Sequence, residues 1–200
     1  MNETNHQAQQ EAPCRDALTG LYNHCEFNQR LTVEFDRCKR YGRMFSMLML
    51  DIDGFGAVND NYSYIAGNRI LRGVADIIRT TTRSPDLVAR YGGEKFAVIL
   101  PETGRSGACA AAQRILAAIS GYTFGVEHCQ ALTVTVSIGL AGFPEDANSG
   151  EGLIVAADHA LYDAKRAGRN CVRSFDPEQS MENCPLLSQP KKPRLSPSIR

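Results

Sequence analysis

Gly92 and Gly93 stand between two strand-like runs, 87–91 and 95–100, and that arrangement constrains the fold more than any other feature of the chain. Glycine takes positive φ without steric cost, so a Gly-Gly between two such runs signals an antiparallel hairpin. Around it, helix-like and strand-like patterns alternate. Phe27 to Arg40 presents Leu31, Phe35 and Cys38 on one side of a helix, and Ser46 to Leu50 is a short apolar run that reads as a buried central strand, abruptly acidic at Asp51. From Asn68 to Arg79, Ile70, Leu71, Val74, Ile77 and Ile78 follow helical spacing, and 105–119 and 152–167 are further helices. Leu132 to Leu140 alternates apolar residues with Thr133, Thr135 and Ser137, which predicts a strand with one buried face. Helices packed on a sheet, an α/β (α+β) class, follow from this order.

Bulk numbers exclude several functions. Lys plus Arg and Asp plus Glu both total 22 in 200 residues, so no overall field draws the chain to nucleic acid or to an anionic membrane. The longest apolar runs, such as 47–50 and 96–100, fall far short of the roughly 20 residues a membrane span needs. The first residues are polar and lack a signal-peptide core. Seven scattered cysteines without a CxxC pair point to free thiols in a reducing cytoplasm, so a cytoplasmic location is expected. Residues 1–14 and 176–200, rich in Gln, Asn, Ser and Pro, read as flexible tails around one domain at 15–175; the basic end of the second carries no assigned function.

Two acidic sites stand out. Asp51-Ile52-Asp53 closes one strand and Glu94 follows the glycines of the hairpin, so their carboxylates converge at one sheet edge if the strands are neighbours. Such oxygens suit Mg²⁺, which one or two carboxylates hold while substrate phosphates complete its shell. Taken singly, an Asp after a strand is more often a turn residue or helix cap, and a Gly-Gly only a turn. Lys165 and Arg169, near the end of the last helix, could hold anionic oxygens or simply complement the helix dipole.

The strings DALTGLYN from Asp16, LMLDID ending at Asp53, Phe55, Asn59-Asp60, Gly67, RYGGEKF from Arg90, TVSIG from Thr135 and DHALYDAKRAGRN from Asp158 occur in order, and together they resemble a GGDEF domain. The resemblance implies a palm-like nucleotidyl cyclase fold, a central, mostly antiparallel sheet flanked by helices, with the active-site hairpin at Gly92-Gly93. It implies a diguanylate cyclase that condenses two GTP into cyclic di-GMP and pyrophosphate. Asp51, the backbone carbonyl of Ile52 and Glu94 would bind two Mg²⁺ (or Mn²⁺), with Asp51 and Glu94 as the catalytic acids. Lys165 and Arg169 would take the β- and γ-phosphates, and Asn59 and Asn68 the guanine. Phe55, Gly92 and Gly93 would complete the substrate site, the glycines by letting the backbone approach the nucleotide. Arg83 and Asp86 match the family's inhibitory product site, which binds cyclic di-GMP. Each domain holds one GTP, so two must meet antiparallel in a homodimer, at least transiently, and a separate regulatory protein could govern their meeting.

This chain departs from the family at several positions. The signature is GGEKF: Lys95 stands where a second acid is usual, and a positive charge there should repel Mg²⁺ by roughly 1 to 4 kcal/mol for unit charges near 4 Å. Asn68 replaces an Asp that accepts two guanine N–H groups, so base selectivity should fall. Gly56 replaces a Lys, Ser63-Tyr64 a Gly-His pair, and His24 an Arg. The second functional reading is therefore a degenerate domain that acts as a receptor for cyclic di-GMP or GTP with little or no turnover.

Overall fold

The computed structural model describes residues 14–126 and 129–177, so the two tails lie outside it except for Cys14, Asp176 and Pro177. In chain order the first half holds α1 (His24–Tyr41), β1 (Phe45–Ile52), α2 (Phe55–Tyr62), α3 (Tyr64–Thr81), β2 (Leu87–Gly92) and β3 (Lys95–Pro101). Then come α4 (Arg105–Ser120), β4 (Phe124–Val126), β5 (Cys129–Leu132), β6 (Val136–Phe143), α5 (Gly150–Arg166) and β7 (Val172–Ser174). Five strands form one sheet in the order β2-β3-β1-β6-β7, antiparallel except where β6 meets β7, and β4 and β5 make a separate hairpin. No helix among the described residues is long and apolar enough to cross a membrane.

Strand β1 sits at the centre and explains its own composition. Leu48, Leu50 and Ile52 face a core shared with α2, α3 and α4, while Phe45, Met47 and Met49 face α1 and α5. With helices on both faces, an unbroken apolar run replaces alternation. The helices begin where capping chemistry predicts: Asn23 accepts from the Glu26 N–H at α1, and Ser149 from the Gly152 N–H at α5. The glycine stop after the last helix is also present, with Gly168 at φ 108° just beyond Ala167.

The run 132–140 differs from its expectation. β5 ends at Leu132, residues 133–135 belong to no strand, and β6 begins at Val136 and is buried on both faces up to Gly142. Of the polar residues that suggested a wet face, Thr133 is exposed, but the half-buried Thr135 and the buried Ser137 are satisfied within the fold, their hydroxyls each donating to Asp53 at 2.7 Å. A fully paired hydroxyl can sit in a core, so from Ser137 onward alternation of polarity did not mean alternation of exposure. Helix α2 carried no periodic signal either. Its Gly56, Asn59, Asp60 and Asn61 are poor helix formers, and tertiary burial of Phe55 and Val58, each 8% exposed, holds it.

Between α2 and α3, Ser63 has φ 117°, a conformation that glycine tolerates and serine does not. Its hydroxyl partly compensates by accepting from the Ala66 N–H at 3.4 Å. Ser63→Gly is expected to raise stability by about 0.5–1 kcal/mol, because the relieved backbone strain exceeds the cap that is lost. A chemical denaturation midpoint that moves down would overturn this.

Candidate functional site

The expected convergence of acids at one sheet end occurs. Asp51, the penultimate residue of β1, pairs across the ladder with Lys95 at the start of β3. One step further, the Ile52 N–H donates to the Glu94 carbonyl at 3.4 Å, so Glu94 lies directly beside the end of β1. The tight turn itself is Gly93-Glu94, since Gly92 still pairs with Lys95, and Gly93 has φ 56°. Glutamate 94 is thus held at the tip of a two-residue loop.

An unexpected group of residues buttresses that loop. The Arg90 guanidinium donates to the Gly93 carbonyl at 2.9 Å and pairs with Asp16 at 3.1 Å. Asp16 in turn accepts from the Thr19 N–H and hydroxyl. The opening DALT string therefore ties down the hairpin from across the domain; the Asp-x-x-Thr spacing, an Asx-type turn signal, marked a turn but not its distant partner.

Asp51 is 4% exposed, and burial pushes its carboxyl above the ordinary value, helped by the charge of Glu94 and opposed by Lys165 and Lys95. Lys165, in the last turn of α5, places its ammonium 2.8 Å from Asp51 Oδ2. Lys95 turns to the same helix, 2.8 Å from Asp158 Oδ1, and this hydrogen bond raises the pKa of its ammonium. Asp158, absent from the expected site, thus gives the unusual lysine a counter-charge. Arg169 lies just past α5, exposed, with its N–H on the Ala164 carbonyl at 3.1 Å.

Asp53 faces elsewhere. Its oxygens accept from Thr135, Ser137 and, at 3.0 Å, the Asn170 N–H. Phe55 opens α2 from the core, and Asn59 on the same helix leans against Gly67 of α3, where an added Cβ would fall 2.0 Å from Asn59 Oδ1. Asn68 follows on α3, exposed, as is Gly56. His24, the first residue of α1, meets the Tyr91 ring edge-on at 4.5 Å, just before the hairpin glycines.

Arg83 and Asp86 are not part of this cluster. They flank the opposite end of β2, whose six residues span roughly 20 Å. Asp86 has a side chain only 1% exposed and accepts from the Arg83 N–H at 2.8 Å and its guanidinium at 3.1 Å. The Arg83 guanidinium also reaches the Thr103 hydroxyl at 2.7 Å. The pair therefore presents an oriented arginine, with the aspartate beneath it.

Among the described residues no group of three or more His, Cys, Asp or Glu gathers as a metal cage. Two carboxylates and a strand-end carbonyl are nonetheless an all-oxygen set of the kind Mg²⁺ accepts when substrate phosphates and water fill its remaining positions.

A family profile described as "Diguanylate cyclase, GGDEF domain" matches residues 14–171. The chain is 38% identical over 162 residues to diguanylate cyclase DgcP of Pseudomonas aeruginosa, covering 81% of this chain and 24% of that protein, so it spans about a quarter of that relative. The isolated GGDEF domain of TpbB (YfiN) from Pseudomonas aeruginosa matches with a TM-score of 0.80 at 31% identity, covering 84% of this chain and 98% of that one. The GGDEF domain of DgcB from Caulobacter crescentus, solved in complex with c-di-GMP, matches with a TM-score of 0.79 at 30% identity over 88% and 99%.

Proposed function

This chain belongs to the GGDEF domain family, matched over residues 14–171, and from that premise we propose that it is a diguanylate cyclase acting on GTP. The observation that carries the reading is that Glu94, in the turn before β3, lies beside the end of β1 that bears Asp51, its carbonyl accepting from the Ile52 N–H, with Lys165 paired to Asp51 at the same sheet end. Asp51, the Ile52 carbonyl and Glu94 would hold Mg²⁺ or Mn²⁺, two per site, whose charge when bound offsets that developing at phosphorus and acidifies the attacking hydroxyl. Lys165 and Arg169 would grip the triphosphate, and Asn59 and Asn68 the base. Phe55, Gly92 and Gly93 would shape the remaining walls.

In the reaction the 3′-oxygen of one GTP bonds to the α-phosphorus of another, the bond to pyrophosphate breaks, and the hydroxyl proton leaves to solvent. A second such exchange closes the ring. One nucleotide per domain makes a homodimer necessary, at least transiently. Cyclic di-GMP would bind at Arg83, with Asp86 orienting the guanidinium for guanine or phosphate.

Incubation with GTP and Mg²⁺ or Mn²⁺ at dimer-favouring concentrations should yield cyclic di-GMP by chromatography; its absence sinks the cyclase reading. A second reading, a receptor without turnover, is favoured by Lys95, which adds positive charge beside Asp51. Cyclic di-GMP binding that Arg83→Ala removes, in a protein that makes no product, would establish it. Lys95→Glu is expected to raise turnover by about fivefold or more, since about 1 kcal/mol of repulsion is removed. An unchanged rate would mean the Asp158 contact already keeps that charge out of the way.

Gly67→Ala tests the base pocket. The new methyl would collide with the end of the Asn59 side chain, which can swing aside, so the fold should survive while GTP affinity falls by about tenfold. Calorimetric titration showing wild-type affinity would remove Asn59 from the site.

A further inference from the structure

Three consecutive residues beyond α5 have positive φ: Gly168 at 108°, Arg169 at 66° and Asn170 at 46°. Arg169 carries a side chain for which this region is unfavourable, while asparagine tolerates it better, so the surrounding structure must hold Arg169 there. On the entry side the Arg169 N–H bonds the Ala164 carbonyl. On the exit side the Asn170 N–H donates to Asp53 Oδ2 at 3.0 Å, across 117 residues of sequence.

We infer that Asp53 is a positioning residue that clamps the Arg169 turn to the sheet end, and not a further acid for a metal ion. Its two oxygens already serve three donors from two segments: Thr135 Oγ1 at 2.7 Å and Ser137 Oγ at 2.7 Å around the start of β6, and the Asn170 amide beyond α5. Through the same residue the backbone is tied in as well, because the Asp53 N–H donates to the Thr135 carbonyl at 2.9 Å. The carboxylate next to the metal-ligating candidate Asp51 thus fixes where the guanidinium of Arg169 can project. The functional purpose of the clamp rests on the reading that Arg169 takes the triphosphate; the clamp itself does not.

The chemistry separates positioning from metal ligation. Positioning needs an acceptor oxygen for the Asn170 amide, which a carboxamide supplies, whereas a carboxylate strengthens Mg²⁺ binding mainly through its negative charge, which a carboxamide lacks. In the nucleotide-free full chain, hydrogen exchange of the Asn170 amide should quicken by about tenfold or more in Asp53→Ala and return most of the way in Asp53→Asn. Thr135→Val, which removes a strand tie but leaves the Asn170 bond, should exchange there like wild type. Unchanged exchange in Asp53→Ala, or equal acceleration in Thr135→Val, overturns the clamp.

Binding of α,β-methylene GTP with Mg²⁺ then tests what the clamp is for. Asp53→Ala should weaken binding by about tenfold and add little further loss when combined with Arg169→Ala, since both remove one interaction. Fully additive losses, or an Asp53→Asn as damaging as Asp53→Ala, overturn the positioning role. If Arg169→Ala alone leaves affinity intact, the triphosphate reading of Arg169 fails, while the exchange result still decides whether Asp53 holds the turn.

Discussion

Asp51→Asn is expected to lower cyclic di-GMP formation by about three orders of magnitude while leaving the protein at least as stable as wild type. The two effects come from one cause. Asp51 is almost wholly buried, and its carboxylate is tolerated only because Lys165 and the strand ends surround it. An amide of the same shape removes a charge that burial opposes, and Lys165, 34% exposed, can turn to water.

The pH dependence fixes the sign of the stability effect. Burial raises the folded-state pKa of Asp51 above its unfolded value. Below the unfolded value the acid is neutral in both states, and the native state keeps its full contribution. As pH rises through the raised folded value, the native carboxyl must ionise against burial and that contribution is lost. Melting temperatures of Asp51→Asn relative to wild type should therefore climb as pH rises from the ordinary carboxylate value of 3.8 and level off above the raised folded-state value. A variant that still cyclises GTP would remove Asp51 from the catalytic set; one that melts lower at neutral pH would show the Lys165 pair to be worth more than burial takes away.

Gly139→Ala should cost about 3 kcal/mol or more, a fall in melting temperature of about 6–12 °C. A Cβ at this position on β6 would lie 2.1 Å from the Ala157 carbonyl oxygen and 2.2 Å from the Leu161 amide nitrogen, both backbone atoms of α5. Neither can rotate away, so the whole helix has to move. Gly67→Ala makes an equally short contact, but with the tip of a side chain, and the contrast between the two variants isolates what a rigid obstacle adds. Because α5 also carries Lys165 and Asp158, any folded Gly139→Ala protein should lose nucleotide affinity as well. Denaturant titration within about 1 kcal/mol of wild type would show that β6 and α5 have slack that their approach conceals.

Much of this was legible from residue pattern alone. The apolar run closing at Asp51 and the Gly92-Gly93 bend were readable because each combines a period with a stop, and the structure pairs them as neighbouring strands. The helices at 27–40, 68–79, 105–119 and 152–167 were readable for the same reason, and lie within α1, α3, α4 and α5 except at Ala167, the cap. What escaped lacked local signal. Strand β7 is three residues long and exists because β6 offers an edge. Asp53 looked like a twin of Asp51, and nothing nearby in sequence tells that its partners are residues 135, 137 and 170. The contact of Lys95 with Asp158 was invisible likewise, since 63 residues separate them.

The ion pair between Lys165 and Asp51 has a consequence for how the pocket fills. An arriving polyphosphate without a counter-ion would meet the carboxylate, and a bare divalent cation would meet the ammonium; each is repelled by one half of the latch. A guest carrying both signs at once lets the two halves part toward opposite ends of itself. On the proposed function, entry would thereby be biased toward the cation and the nucleotide travelling as one complex, because the two side chains otherwise neutralise each other.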